Sequence, residues 1–187
     1  MIDRNKIEEG VRLILEGIGE DLKREGLKDT PYRVSHMCEE LFAGYDQDPT
    51  VPMSRTFSSE TGDIVIEKGI RFYSVCEHHI LPFFGTVSIG YVPDGKVVGL
   101  SKLARTVEIF ARRVQIQEQM TTEIAEAIQK HLSPKGVIVV AKAEHMCMSM
   151  RGVKKPGTET MTHKTTGCFE TDGELRKLFF SMLRNME

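Results

Sequence analysis

Cys76-Glu77-His78-His79, answered about seventy residues later by Cys147 within His145-Met146-Cys147-Met148, puts three soft or borderline ligands into one chain. A thiolate and an imidazole three residues apart, completed by a distant thiolate, suit Zn²⁺, which takes such ligands and can leave its fourth tetrahedral position to water. His78 adjoins His79, and His145 stands two residues before Cys147, so proton-transfer groups would lie within a few ångströms of the metal. The pattern implies a hydrolytic metal centre.

Simple packing is the competing explanation. Buried cysteines are common in cores, and a lone C-x-x-H has little specificity. A closed structural zinc site would want a fourth protein ligand, and the remaining cysteines, Cys38 and Cys168, stand singly without a second C-x-x-C or C-x-x-H pair. Cys38 reads as a core residue on a helix face and Cys168 as a strand residue.

The elements that must position these groups divide near residue 60. Ile7, Val11, Ile14, Leu15, Ile18 and Leu22 recur at helical spacing. A second helix is signalled by Thr30 as cap, Pro31 in the first turn, an apolar stripe through Phe42 and Gly44 at the end. Residues 1–60 thus read as a helical arm and connector, and residues 61–187 as the catalytic domain. Ile64 and Ile66 open a strand that runs into Phe72-Tyr73-Ser74-Val75. Val87, Ile89 and Tyr91 alternate in a second, and Pro93-Asp94-Gly95-Lys96 predicts a hairpin turn before Val97-Val98. Ser101 can cap a helix carrying Leu103, Val107, Phe110 and Val114; its stripe slips out of phase before Met120, Ile124 and Ile128, leaving Gln115-Ile116-Gln117-Glu118 as a polar break between two helices. Val137 to Ala143 is a buried strand, Thr158 to Phe169 a threonine-rich alternating one, and Thr171-Asp172-Gly173-Glu174 a capping box before a last helix. The order is strand, strand, helix, helix, strand, strand.

Composition agrees with a soluble enzyme. A chain of 187 residues holds one domain plus an appendage. A net charge of -2 argues against a nucleic-acid partner, whose phosphates call for a strongly basic footprint. No apolar run approaches the roughly 20 residues of a membrane span, and Met1-Ile2-Asp3-Arg4-Asn5-Lys6 lacks the order of a signal peptide. The expected compartment is the cytoplasm, where reduced cysteines suit metal ligation.

Four spaced segments now carry a resemblance: Cys76-Glu77-His78-His79-Ile80-Leu81-Pro82-Phe83-Phe84-Gly85, Gly99-Leu100-Ser101-Lys102-Leu103-Ala104-Arg105, Gln115-Ile116-Gln117-Glu118-Gln119-Met120-Thr121 and Glu144-His145-Met146-Cys147-Met148-Ser149-Met150-Arg151-Gly152. Together, and with Thr30-Pro31-Tyr32-Arg33-Val34 in the arm, the chain closely resembles GTP cyclohydrolase I, the zinc form. The resemblance implies the α+β tunnelling fold: a ββααββ unit with a four-stranded antiparallel sheet, helices on one face, and sheets joined across subunits in a decamer of two pentamers. It implies Cys76, His79 and Cys147 as ligands of one zinc per subunit. It also implies hydrolytic opening of the guanine imidazole ring of GTP, loss of formate, and rearrangement to 7,8-dihydroneopterin triphosphate, the first step of pterin and folate synthesis.

Within that family pattern His78 and His145 are the expected proton-transfer groups. Glu118 matches the guanine anchor, since one carboxylate accepts from N1–H and the 2-amino group together and would be left buried and unpaired by adenine. Gln117 is expected beside it as an amide or main-chain contact. Lys102 and Arg105, three apart at a helix start with Ser101, read as the triphosphate site, and Arg151, four residues past Cys147, as a bridge between metal and phosphates. Arg112, Arg113, Lys154 and Lys155 read as solvated surface. Rival readings are a relative of the same fold that works without zinc, through a cysteine nucleophile, and a non-enzymatic zinc-stapled module. A nucleobase deaminase would need H-x-E with P-C-x-x-C, which is absent. Animal members of the family answer to a feedback protein; the sequence is silent on such a partner here.

Overall fold

The computed structural model describes residues 2–185. Helix α1 (Arg4–Gly17) is capped by Asp3, whose carboxylate accepts from Lys6 N. It packs on α2 (Thr30–Leu41), where the Ser35 hydroxyl donates to Glu8 at 3.1 Å. Asp29, not Thr30, occupies the cap position of α2; the Thr30 hydroxyl instead donates to the Gly26 carbonyl. The expected end at Gly44 comes earlier, after Leu41, and a 3₁₀ turn over Ala43–Asp46 and a short α3 (Thr50–Met53) complete the arm. Leu13, Ile14 and Ile18 stay exposed along α1.

The body contains β1 (Thr56–Ser58), β2 (Val65–Cys76), β3 (Pro82–Val92), β4 (Lys96–Val98), α4 (Leu100–Ala111), β5 (Val114–Gln115), α5 (Gln117–Leu132), β6 (Gly136–His145), α6 (Met146–Ser149), β7 (Glu159–Gly167), α7 (Cys168–Thr171) and α8 (Gly173–Asn185). The main sheet has five strands in the order β5-β2-β3-β6-β7, not four. The four long strands are antiparallel, while the two-residue β5 lies parallel to the end of β2, pairing Val114 with Val75 and Gln115 with Cys76. Two residues give too weak a pattern to read from sequence. The predicted hairpin also differs: the Pro93–Lys96 turn forms, but β4 leaves β3 and pairs with β1 in a separate two-stranded ribbon.

Alternation along β6 divides the core. Val137, Val139, Ala141 and Ala143 face α4 and α5, whereas Ile138 and Val140 face the other way, into a second cluster with Phe169 and Phe179. Helices therefore cover parts of both faces, against the one-face expectation, because α8 lays Phe179 on the sheet opposite α4 and α5. Gly90 makes room for it: a β-carbon there would stand 2.7 Å from the Phe179 ring. Asp172 rather than Thr171 caps α8, accepting from Leu175 N at 2.9 Å. Cys168 begins α7 instead of continuing a strand.

Register sets the two ends of the sheet. Cys76 ends β2, Pro82 begins β3 opposite Val75, and His145 ends β6 opposite Phe83, so the chemistry-bearing residues gather at one edge of the layer.

Candidate active site

The turn after β2 is closed by Cys76 N donating to Leu81 O at 2.8 Å and Ile80 N donating to Cys76 O at 2.9 Å. Ile80 takes a φ of 53°, a left-handed conformation that costs a β-branched residue energy, yet its side chain is 73% exposed. The sheet buries Cys76 and the turn swings His78 and His79 outward. From the end of β6, α6 then brings Cys147 back.

Ligand atoms of Cys76, His79 and Cys147 all lie within 4.8 Å of one another. Tetrahedral zinc, with bonds of about 2.0–2.3 Å, needs its donors roughly 3.5–4 Å apart, so a small contraction would complete the shell. The chemistry of the donors fits as well. Burial pushes the Cys147 thiol up, and the neighbouring Cys76 pushes it further, because two thiolates side by side repel; Arg151 acts the other way. A bound dication removes that penalty. Arg151 also donates to His79 Nε2 at 2.9 Å, and His78 Nδ1 lies 3.8 Å from Cys76 Sγ.

His145 is held from two sides. Its ring stacks on Phe83 at 4.7 Å between centroids with planes 2° apart, and its Nε2 lies 2.7 Å from Gln117 Oε1. Burial keeps this imidazole below its usual pKa, while the charge of Glu118 pulls the value back up. Glu118 itself is exposed in the first turn of α5.

Of the two contacts expected of Gln117, amide or main chain, its buried side chain bears on the amide alone. Its side chain is 1% exposed, and the two hydrogens of its amide nitrogen are shared among three acceptors within 3.2 Å, the carbonyls of Ala141 and Thr160 and the Thr162 hydroxyl, leaving no free amide for a ligand. Thr121 and Thr162, which support it, escaped the sequence reading; the available signal was that Thr160, Thr162, Lys164 and Thr166 alternate on one face of β7.

Ser101, Lys102 and Arg105 lie elsewhere. Gly99 occupies the cap position of α4, so Ser101 is the second residue of the helix's first turn and not its cap. The helix starts beside β4, near the Val65–Tyr91 end of the sheet where Val98 N donates to Tyr91 Oη, and finishes next to β5 at the Cys76 end. Twelve residues separate these ends, roughly 18 Å of helix. One chain thus brings together Cys76, His79 and Cys147, with His78 near Cys76, Arg151 against His79, and His145 against Phe83 and Gln117. Of the residues read as surface, Arg112 pairs with Glu108, and Arg113 donates to Gly44 O while lying over Phe110.

Fold and site together define an α+β protein with a candidate metal centre whose three converging ligands are flanked by histidines. The model of the family GTP cyclohydrolase I matches residues 7–184. A protein named GTP cyclohydrolase 1 from Clostridium kluyveri is 51% identical over 183 residues, 98% of this chain and 99% of that one. Another of that name, from Carboxydothermus hydrogenoformans, is 58% identical over 172 residues, 91% and 90% of the two chains. The chain belongs to the GTP cyclohydrolase I family. Among solved structures, an apo archaeosine synthase QueF-Like is similar over 58% of this chain and 97% of its own, at 22% identity and a TM-score of 0.47. No helix among the described residues is long and apolar enough to cross a membrane.

Proposed function

We propose that this protein is a zinc-dependent GTP cyclohydrolase I, opening the guanine imidazole ring of GTP by hydrolysis, releasing formate and closing a dihydropterin ring to give 7,8-dihydroneopterin triphosphate. The observation that carries the reading is the convergence of Cys76, His79 and Cys147 beside His145 and Glu118, in a chain of this family. Cys76, His79 and Cys147 would hold one zinc, which supplies Lewis-acid activation of the attacking water.

The chain's own groups supply the rest. Glu118, exposed and next to His145, accepts from guanine N1–H and the 2-amino group, which orients C8 toward the ligand cluster and rejects adenine. His78, beside Cys76, moves a proton at the imidazole nitrogen as the ring opens; His145 relays protons during hydration and the later ribose steps. Arg151, already against His79, meets the triphosphate with its forked donors.

Lys102, Arg105 and the main-chain N–H groups near Ser101 complete the phosphate site from a neighbouring subunit, a reading supported by the direction of α4, which ends, and does not start, beside β5 and Cys76. Association into a homo-oligomer, a decamer in the family pattern, is supported by the uncovered apolar residues of α1 and by the open edge strand β7. Zinc content per chain, measured with formate release and the ultraviolet change on GTP, tests the reading. Stoichiometric zinc with formate formed one-for-one from GTP is expected; full turnover by metal-free protein, or no turnover by the zinc-loaded oligomer, overturns it.

A further inference from the structure

Gln117 is buried at the start of α5, and the hydrogen-bond directions around it are fixed by what each partner can do. Thr121 Oγ1 donates to the Gln117 main-chain carbonyl at 2.7 Å, which uses its one hydrogen. At the 2.7 Å contact between Thr121 Oγ1 and Thr162 Oγ1, Thr162 is therefore the donor, and its oxygen is left to accept from Gln117 Nε2 at 3.2 Å. The Ala141 and Thr160 carbonyls, which can only accept, face the same nitrogen at 3.2 and 3.0 Å. These acceptors forbid the flipped amide. Gln117 Oε1 must point the other way, at His145 Nε2, and an amide oxygen can only accept.

We infer that Gln117 is a positioning residue that fixes His145 as the Nε2–H tautomer, so that His145 exchanges protons with the substrate through Nδ1. The inference rests on the proposed role of His145 in proton transfer and gives the Gln117 side chain a role apart from any main-chain contact with guanine. Phe83, stacked on the ring, fixes its plane, and the amide fixes rotation within that plane. A neutral histidine held this way presents one lone pair in one direction, and the hold is anchored on three elements: α5, β6 and β7.

The test uses the zinc-loaded oligomer labelled with ¹⁵N-histidine, read by solid-state NMR at a pH where His145 is neutral; its signals are identified by their loss in His145→Gln. Wild-type His145 is expected to show a protonated Nε2 and an unprotonated Nδ1. In Gln117→Met the ring should become a mixture of tautomers, with kcat falling about a hundredfold, KM changing less than about threefold and zinc per chain unchanged. A proton on Nδ1 in the wild type overturns the inference whether or not the variants fold, and so does Gln117→Met raising KM with kcat intact. If the wild-type protein shows the Nε2–H ring but does not turn over GTP, the functional reading fails and the hold on His145 stands.

Discussion

Glu118 is an exposed carboxylate in the first turn of α5, and its value lies in having two acceptor oxygens and no donor. Glu118→Gln preserves shape but turns an NH₂ toward guanine donors. Loss of a charge-assisted pair of about 3 kcal/mol corresponds to roughly a hundredfold lower turnover of GTP, measured as kcat/KM with zinc content as the control. Unchanged kcat/KM would remove Glu118 from the guanine site. The ligands behave differently under substitution. Cys147→Ala or His79→Ala removes one of three protein donors, so zinc per chain and formate release should fall together, while size-exclusion chromatography still shows the wild-type oligomer. Activity retained without bound metal would sink the zinc assignment.

At the scale of elements, the segment after β6 is held by Glu144, whose carboxylate accepts from the Ser149 hydroxyl and from Gly157 N, tying α6 and the loop beyond it to the strand. These donors, Ser149 first, keep the carboxyl below the usual carboxylate range. A depressed native value means the tie contributes fully above the unfolded pKa of about 4.3 and is lost as the pH falls through the native value. Glu144→Ala should therefore speed hydrogen exchange of residues 146–157 at neutral pH, and the gap from wild type should close under acid; equal exchange at neutral pH would show that the loop is held by something else. A second test belongs to α8. Gly90→Ala drives a methyl into the Phe179 ring and should destabilise by about 1–3 kcal/mol, read in chemical unfolding. What the sequence disclosed follows from the same physics. Long elements with strong periodicity, β2, β3, α4, α5, β6 and β7, announce themselves locally. The two-residue β5, the pairing of β4 with β1 and the placement of α8 on the second face depend on distant partners that no local pattern records. The ligand set was legible because its residue types are chemically distinctive, whereas the inward turn of the Gln117 amide depends on Thr160 and Thr162, more than forty residues away.

For the whole molecule, the proposed site is divided between subunits. Cys76, His79 and Cys147 stand at one end, Lys102 lies in the first turn of α4 toward the other, and Arg105 lies halfway along that helix. In the proposed arrangement a second subunit presents the triphosphate to the metal cluster, and the exposed edge strand β7 offers the backbone pairing through which subunits could align. Cys76→Ala and Arg105→Ala should then each be inactive as homo-oligomers, one for want of the metal half and the other for want of the phosphate half. Denatured together and refolded as a mixture, they should recover part of the wild-type activity, because some seams join an intact metal half from one subunit to an intact phosphate half from its neighbour. Native mass spectrometry verifies that mixed oligomers have formed. Mixed oligomers as inactive as either parent would place both halves in one chain, and would require α4 to take a position different from the one that holds Gln115 beside Cys76.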